Sequence, residues 1–121
     1  METKSSVLFR HWLRANPQKT SSYEMKDTRG KNYLDLREVK DAQLDYANAI
    51  KSDRGVFIRV QALSGGEPDY IYLRNEPAWI VIKYPKCFCI IDATILQDEK
   101  KTAKRLDEIR ARKLSTTCIE L

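Results

Sequence analysis

The stretch "SSYEMKDT", residues 21–28, decides how the rest of the chain is read. Turn-forming residues bound it on both sides: "NPQKTSS" before and "DTRGKN" after, the latter with Gly30 at its centre. Between them the residues suit a strand over 22–28. Side chains on a strand alternate faces, so Glu24 and Lys26 share one face while Tyr23 and Met25 share the other. An exposed acid–base pair by itself is worth little. Its meaning depends on what else folds against that face.

Working outward, residues 5–15 read as a short helix with Ser5 or Ser6 as cap. Val7, Leu8, Trp12 and Leu13 form its apolar stripe, and Pro17 stops it. "YLDL" (33–36) is either the returning strand of a hairpin or an extended connection. Residues 38–52 form a second helix, and Gly55 opens a strand over 54–63. "DYIYLRN" (69–75), "AWIVIKY" (78–84) and "CFCIIDA" (87–93) give three more strands, divided by Pro77 and Pro85. "AWIVIKY" is almost continuously apolar, as expected of a strand covered on both faces. Residues 100–114 read as a last helix with Ala103, Leu106, Ile109 and Leu114 inward, and the tail "STTCIEL" carries no signal. The expected fold class is mixed α/β, one mixed sheet with helices packed on it, in a single domain over 1–121.

Composition bounds the function classes. The chain is 42% hydrophobic and 32% charged, which is globular and not the signature of disorder. Its 22 Lys and Arg against 17 Asp and Glu leave a net charge of +5, a mild bias toward polyanionic partners. Three cysteines with no CxxC spacing, and the single histidine His11, argue against a disulfide framework and a zinc cluster. Cys87 and Cys89 would face one side of their strand as small hydrophobes. No signal peptide and no membrane-spanning run is expected, so the reading is an intracellular, reduced protein without a membrane partner.

The second helix carries the informative anomaly. Its apolar stripe runs Val39, position 43, Tyr46, Ala47 and Ile50, and position 43 is Gln43. An amide on a buried face needs hydrogen-bond partners. Either Gln43 caps a backbone group on a neighbouring strand, or it points into a polar site beside Glu24 and Lys26.

A strand with Glu24-Met25-Lys26-Asp27-Thr28, then a turn, then a helix with a central Gln43 resembles the PD-(D/E)XK nuclease superfamily. The resemblance is closest to Holliday-junction resolvases of the RecU kind and their viral relatives. It covers residues 22–62 best. It implies a restriction-endonuclease-like sheet flanked by helices, acting on branched or duplex DNA as a homodimer, with a viral or mobile-element origin. It also implies a Mg²⁺ or Mn²⁺ cofactor held in part by Glu24, with the Met25 carbonyl as a further oxygen. Lys26 would hold the attacking water or stabilise charge on phosphorus, and Gln43 would orient it.

The family also places an aspartate on a strand before the Glu-x-Lys strand, and no acid lies among residues 17–23 of this chain. The second ligand is then sought among Asp27, Asp35 and Asp69, with Asp69 favoured; Asp92 reads as a local cap. Arg10, Arg14, Lys19, Arg29 and Lys31 are the candidate phosphate contacts. The basic run Lys100 to Lys113 reads as a solvated helix face, and Tyr23, Tyr33, Tyr70 and Tyr72 are too scattered in sequence for a stacking platform. The alternatives are a degenerate member of the same fold that binds nucleic acid or a protein without cutting, and an interaction protein with no nucleic-acid role.

Overall fold

A computed structural model describes residues 4–15, 21–60 and 69–121. In chain order the elements are helix α1 (Lys4–Ala15), strands β1 (Ser22–Asp27) and β2 (Tyr33–Asp35), a 3₁₀ turn (Leu36–Glu38), and helix α2 (Asp41–Lys51). Strands β3 (Val56–Val60), β4 (Asp69–Leu73), β5 (Ala78–Tyr84) and β6 (Cys87–Asp92) follow. Helix α3 (Ala93–Thr102), strand β7 (Arg105–Asp107), helix α4 (Glu108–Leu114) and strand β8 (Thr117–Glu120) complete the chain.

The class is mixed α/β. The main sheet has four strands in the order β1-β5-β6-β8. β1 runs parallel to β5, with Glu24 opposite Ile80 and Lys26 opposite Ile82. Parallel neighbours need a crossover, and the segment holding α2 supplies it. The other two pairings in the sheet are antiparallel. β2 pairs with β7, and β3 with β4, as two separate antiparallel ribbons.

The apolar run of β5 explains its central place. Ala78, Ile80, Val81, Ile82 and Tyr84 are all fully buried, and burying each Ile or Val contributes about 1.5–3 kcal/mol. Odd and even residues of the sheet feed two different cores. On one face Phe9 of α1 packs on Tyr23, Met25, Val81, Phe88 and Ile90. On the other, Ile80, Ile82, Tyr84, Cys87, Cys89 and Ile91 meet Leu44 of α2, Leu96 of α3, Leu106 of β7 and Ala111 of α4. Cys87 and Cys89 share a face as expected, their sulfurs 3.8 Å apart. Burial pushes both thiols up from their ordinary value.

Several expectations need correcting. In α1 the buried aromatic is Phe9, while Leu8 of the expected stripe is exposed. In α2 the buried side chains are Leu44, Ala47 and Ile50, and Tyr46 faces solvent. "YLDL" is no hairpin return: it pairs with β7, far along the chain. The expected last helix over 100–114 is two helices with a strand between them. Leu106 is fully buried from that strand, whereas Ile109, expected inward, is exposed. Helical propensity runs through the whole segment, and the core position of Leu106 overrides it. The tail forms β8, with Cys118 opposite Cys89. Asp92 is a cap: its carboxylate accepts from the Thr94 N–H at the start of α3.

Candidate active site

β1 has no strand on its outer side among the described residues, so it ends the sheet. Ser22 and Thr28, at its two ends, both donate backbone N–H groups toward β5. In a parallel ladder such residues alternate with ones whose N–H and C=O point the other way. The Met25 carbonyl therefore lies along the free edge. Glu24 and Lys26 project on the face that α2 covers, opposite the face where Tyr23 and Met25 meet α1.

The turn after β1 is built by the rest of the motif. Asp27 accepts from the Arg29 backbone N–H at 2.8 Å and from the Ser5 hydroxyl at 2.6 Å, tying α1 to the strand end. Burial raises its carboxyl, but the Ser5 and Arg29 hydrogen bonds and the charges of Lys83 and Arg29 outweigh that and hold it below its ordinary value. Thr28 is buried and donates its hydroxyl to the Lys83 carbonyl at 2.9 Å. Arg29 and Gly30 take positive φ, which closes the turn.

Gln43 joins the two sides. Its Nε2 donates to Glu24 Oε1 at 3.0 Å, and its Oε1 accepts from the Lys40 backbone N–H at 3.1 Å. The second alternative is realised, and the backbone group that the amide satisfies lies at the start of its own helix, not on a neighbouring strand. The amide satisfies the start of α2 and reaches the acid on β1. Lys26 Nζ lies 3.8 Å from the same Glu24 oxygen, with its side chain 16% exposed against 46% for Glu24. Glu24 and Gln43 also line a cleft of about 300 Å³ with Tyr46 and Trp79. The base is thus sheltered and the acid half open to a cleft, with an amide fixing the acid's orientation.

The other candidates fall elsewhere. Asp35 sits on β2, where the Arg37 guanidinium and backbone N–H hold its carboxyl down at about 2. Asp69 begins β4, whose partner is β3, not β1; its side chain lies outside the described residues. Among the described residues no group of three or more His, Cys, Asp or Glu is placed to hold a metal ion. Magnesium is commonly bound by one or two carboxylates, with waters and substrate phosphates completing the shell. Glu24 and an edge carbonyl supply hard oxygen donors at the lower end of that requirement.

Of the basic candidates, Arg29 and Lys31 are exposed beside the β1 turn. Lys31 and Arg105 both approach the Tyr33 ring, at 5.6 and 4.3 Å. Arg10 and Arg14 lie on α1 with side chains outside the described residues, and Lys19 lies wholly outside them. Tyr23 packs in the core beside α1 and Tyr33 lies on β2, so the four tyrosines stay dispersed, but Tyr70 and Tyr72 on β4 gain an aromatic neighbour. Tyr72 stacks on Phe57 at 4.6 Å, and Phe57, Tyr70 and Tyr72 are all exposed on the β3–β4 ribbon. Strand pairing, which period-two reading alone does not supply, brings them together. No helix among the described residues is long and apolar enough to cross a membrane. In comparisons with known proteins, no family model, no curated protein and no solved structure matches the chain.

Proposed function

We propose that the chain is a metal-dependent DNA endonuclease of restriction-endonuclease-like build, hydrolysing phosphodiester bonds in branched or duplex DNA as a homodimer. The observation that carries this reading is the convergence of Glu24, Lys26 and Gln43, brought together from β1 and α2 around one carboxylate oxygen. Glu24 and the Met25 carbonyl are the residues that would hold Mg²⁺ or Mn²⁺, an ion that supplies charge neutralisation at phosphorus and a more acidic bound water. Gln43 holds the Glu24 carboxylate in one orientation. Lys26 presents a cation beside it, suited to orient a water and to offset negative charge as it builds on the phosphate. Among the described residues no strand covers the outer edge of β1, which supports access of a nucleic-acid strand to these groups.

The test is cleavage of labelled four-way-junction, linear duplex and single-stranded DNA, with Mg²⁺, Mn²⁺ or EDTA. Metal-dependent cutting that Lys26→Ala abolishes, while the variant still folds and binds DNA, is the expected result. Full activity in Lys26→Ala would overturn the assignment.

A second reading is a non-cutting module of the same build. It is favoured by the engagement of Asp27 with Ser5 and of Asp35 with Arg37, which leaves Glu24 without either as a second carboxylate. A retarded junction band with no cutting in either metal supports it.

For the proposed homodimer, the interior strand β5 offers no interface surface. The exposed aromatic face of the β3–β4 ribbon is better placed for that role.

A further inference from the structure

The basic run of residues 100–113 is sorted by the fold into paired and unpaired cations. Lys100 is held by Asp41 and the Val39 carbonyl, at 2.8 and 2.7 Å. Lys101 pairs with Asp98, Arg110 with Glu99, and Arg112 with Glu108 and Glu120. Lys104 and Arg105, both exposed, form no salt bridge among the described residues, although Arg105 stands opposite Asp35 in the β2–β7 pair and its charge adds to that of Arg37 in holding the Asp35 carboxyl down. They lie side by side where α3 ends and β7 begins, on the wall of a cleft of about 570 Å³ that Arg37 and Lys100 also line. Asp35, the one acid on that wall, is already neutralised by Arg37 through paired hydrogen bonds of 2.7 and 3.1 Å. The cleft therefore carries a net positive charge, with Lys104 and Arg105 exposed at its surface.

The arrangement continues toward β1. The Arg105 guanidinium lies over the Tyr33 ring, and Lys31 reaches the same ring from the loop that follows the β1 turn. Cation–ring contact fixes Arg105 without neutralising it and leaves its N–H groups free for an oxygen ligand. Three cations on two separate segments thus form a line from the loop after β1 into the cleft.

We propose that this cleft is a phosphate-binding site for the backbone of a nucleic acid, with Lys104 and Arg105 as contacting cations and Lys31 linking it to the β1 edge. It is a positioning surface: contacts of this kind set the register of a duplex and carry no sequence information. That the polyanion is DNA rests on the nuclease reading; the phosphate affinity of the cleft does not.

The experiment measures affinity of the full chain for a duplex in EDTA over a salt series, so that cutting plays no part. Each phosphate contact contributes a slope of about −0.9 in log affinity against log salt. Lys104→Ala with Arg105→Ala is expected to flatten the slope by about two units. Arg105→Lys keeps the charge and is expected to keep the slope, and Lys113→Ala, on the same basic run, serves as the control. Because Arg105 also packs on Tyr33, Lys104→Ala alone is measured as well, with an expected loss of about one unit. An unchanged slope in both Lys104→Ala and the folded double variant overturns the proposal. Tripolyphosphate that binds the cleft by NMR while the DNA slope is unchanged in the variants also overturns it, in favour of a small-phosphate site. A flattened slope in a protein that cuts nothing upholds the cleft and removes the nuclease.

Discussion

Gln43 Nε2 stands 3.0 Å from Glu24 Oε1, and the other end of the same amide accepts from the Lys40 backbone N–H at 3.1 Å. One side chain therefore ties the start of a helix to an acid on the edge strand of the sheet. The two roles separate by mutation. Gln43→Glu keeps an acceptor for Lys40 but replaces the donor to Glu24 with a like charge. Gln43→Ala removes both. Under the nuclease reading both variants lose about 100-fold in cleavage rate, because a misplaced carboxylate costs about that much. Both should unfold within about 1–2 kcal/mol of the parent. Rates and denaturant midpoints measured together check this. Loss of stability with an unchanged rate would make Gln43 a structural cap alone.

Gly55 and Gly30 test where backbone freedom is needed. Both have positive φ, +68° and +85°. A Cβ on Gly55 would meet the Leu73 carbonyl oxygen at 2.6 Å and the Tyr72 ring at 2.8 Å, whereas one on Gly30 meets nothing within 4 Å. Gly30→Ala should cost about 1–2 kcal/mol from the left-handed backbone alone. Gly55→Ala should cost that and more, because β3 and β4 must separate to admit it. Thermal unfolding of the two variants gives the comparison, and equal losses would contradict the close approach of the ribbon.

The Asp92 carboxylate caps α3 and receives Lys51 Nζ at 2.7 Å, while Lys51 also donates to Thr94 Oγ1. Burial raises the Asp92 carboxyl, but the bonds from Lys51 and the Thr94 N–H more than offset it, so it sits below its ordinary value of 3.8. The stabilisation is therefore complete above that ordinary value and is lost as pH falls through the lower folded value. Asp92→Asn should lower stability by about 1–2 kcal/mol at neutral pH. The gap between the variant and the parent should close in acid. Unfolding midpoints across a pH series measure it, and a gap that is constant down to strong acid would remove Asp92 from the account.

The strand at Glu24, the helix holding Gln43, the apolar strands β5 and β6 and the cap at Asp92 were legible because each is a local pattern. Turn residues, period and capping chemistry write them into contiguous residues. Gln43 was legible for a different reason: a polar group on an expected core face signals an unmet partner, and Glu24 is that partner. The segment 100–114 misled because Lys, Arg, Ala, Leu and Glu favour helix throughout it. Its break at Arg105–Asp107 exists only because Tyr33–Asp35 lies alongside to pair with it. The grouping of Tyr70 and Tyr72 with Phe57 and the sorting of Lys104 and Arg105 from their paired neighbours were hidden likewise.

The sequence by itself determined the class of the fold, most of its elements, and the three side chains that meet at the edge of the sheet. Hydrophobic period and turn chemistry act over a few residues and need no partner to be read. Tertiary structure alone decided which strands pair, that β1 is an edge running parallel to β5, which carboxylates are already engaged, and which cations remain free. Those outcomes depend on contacts between segments dozens of residues apart. There, burial of side chains such as Leu106 outweighs local preference, and a charge acquires its role from the neighbour that the fold brings to it.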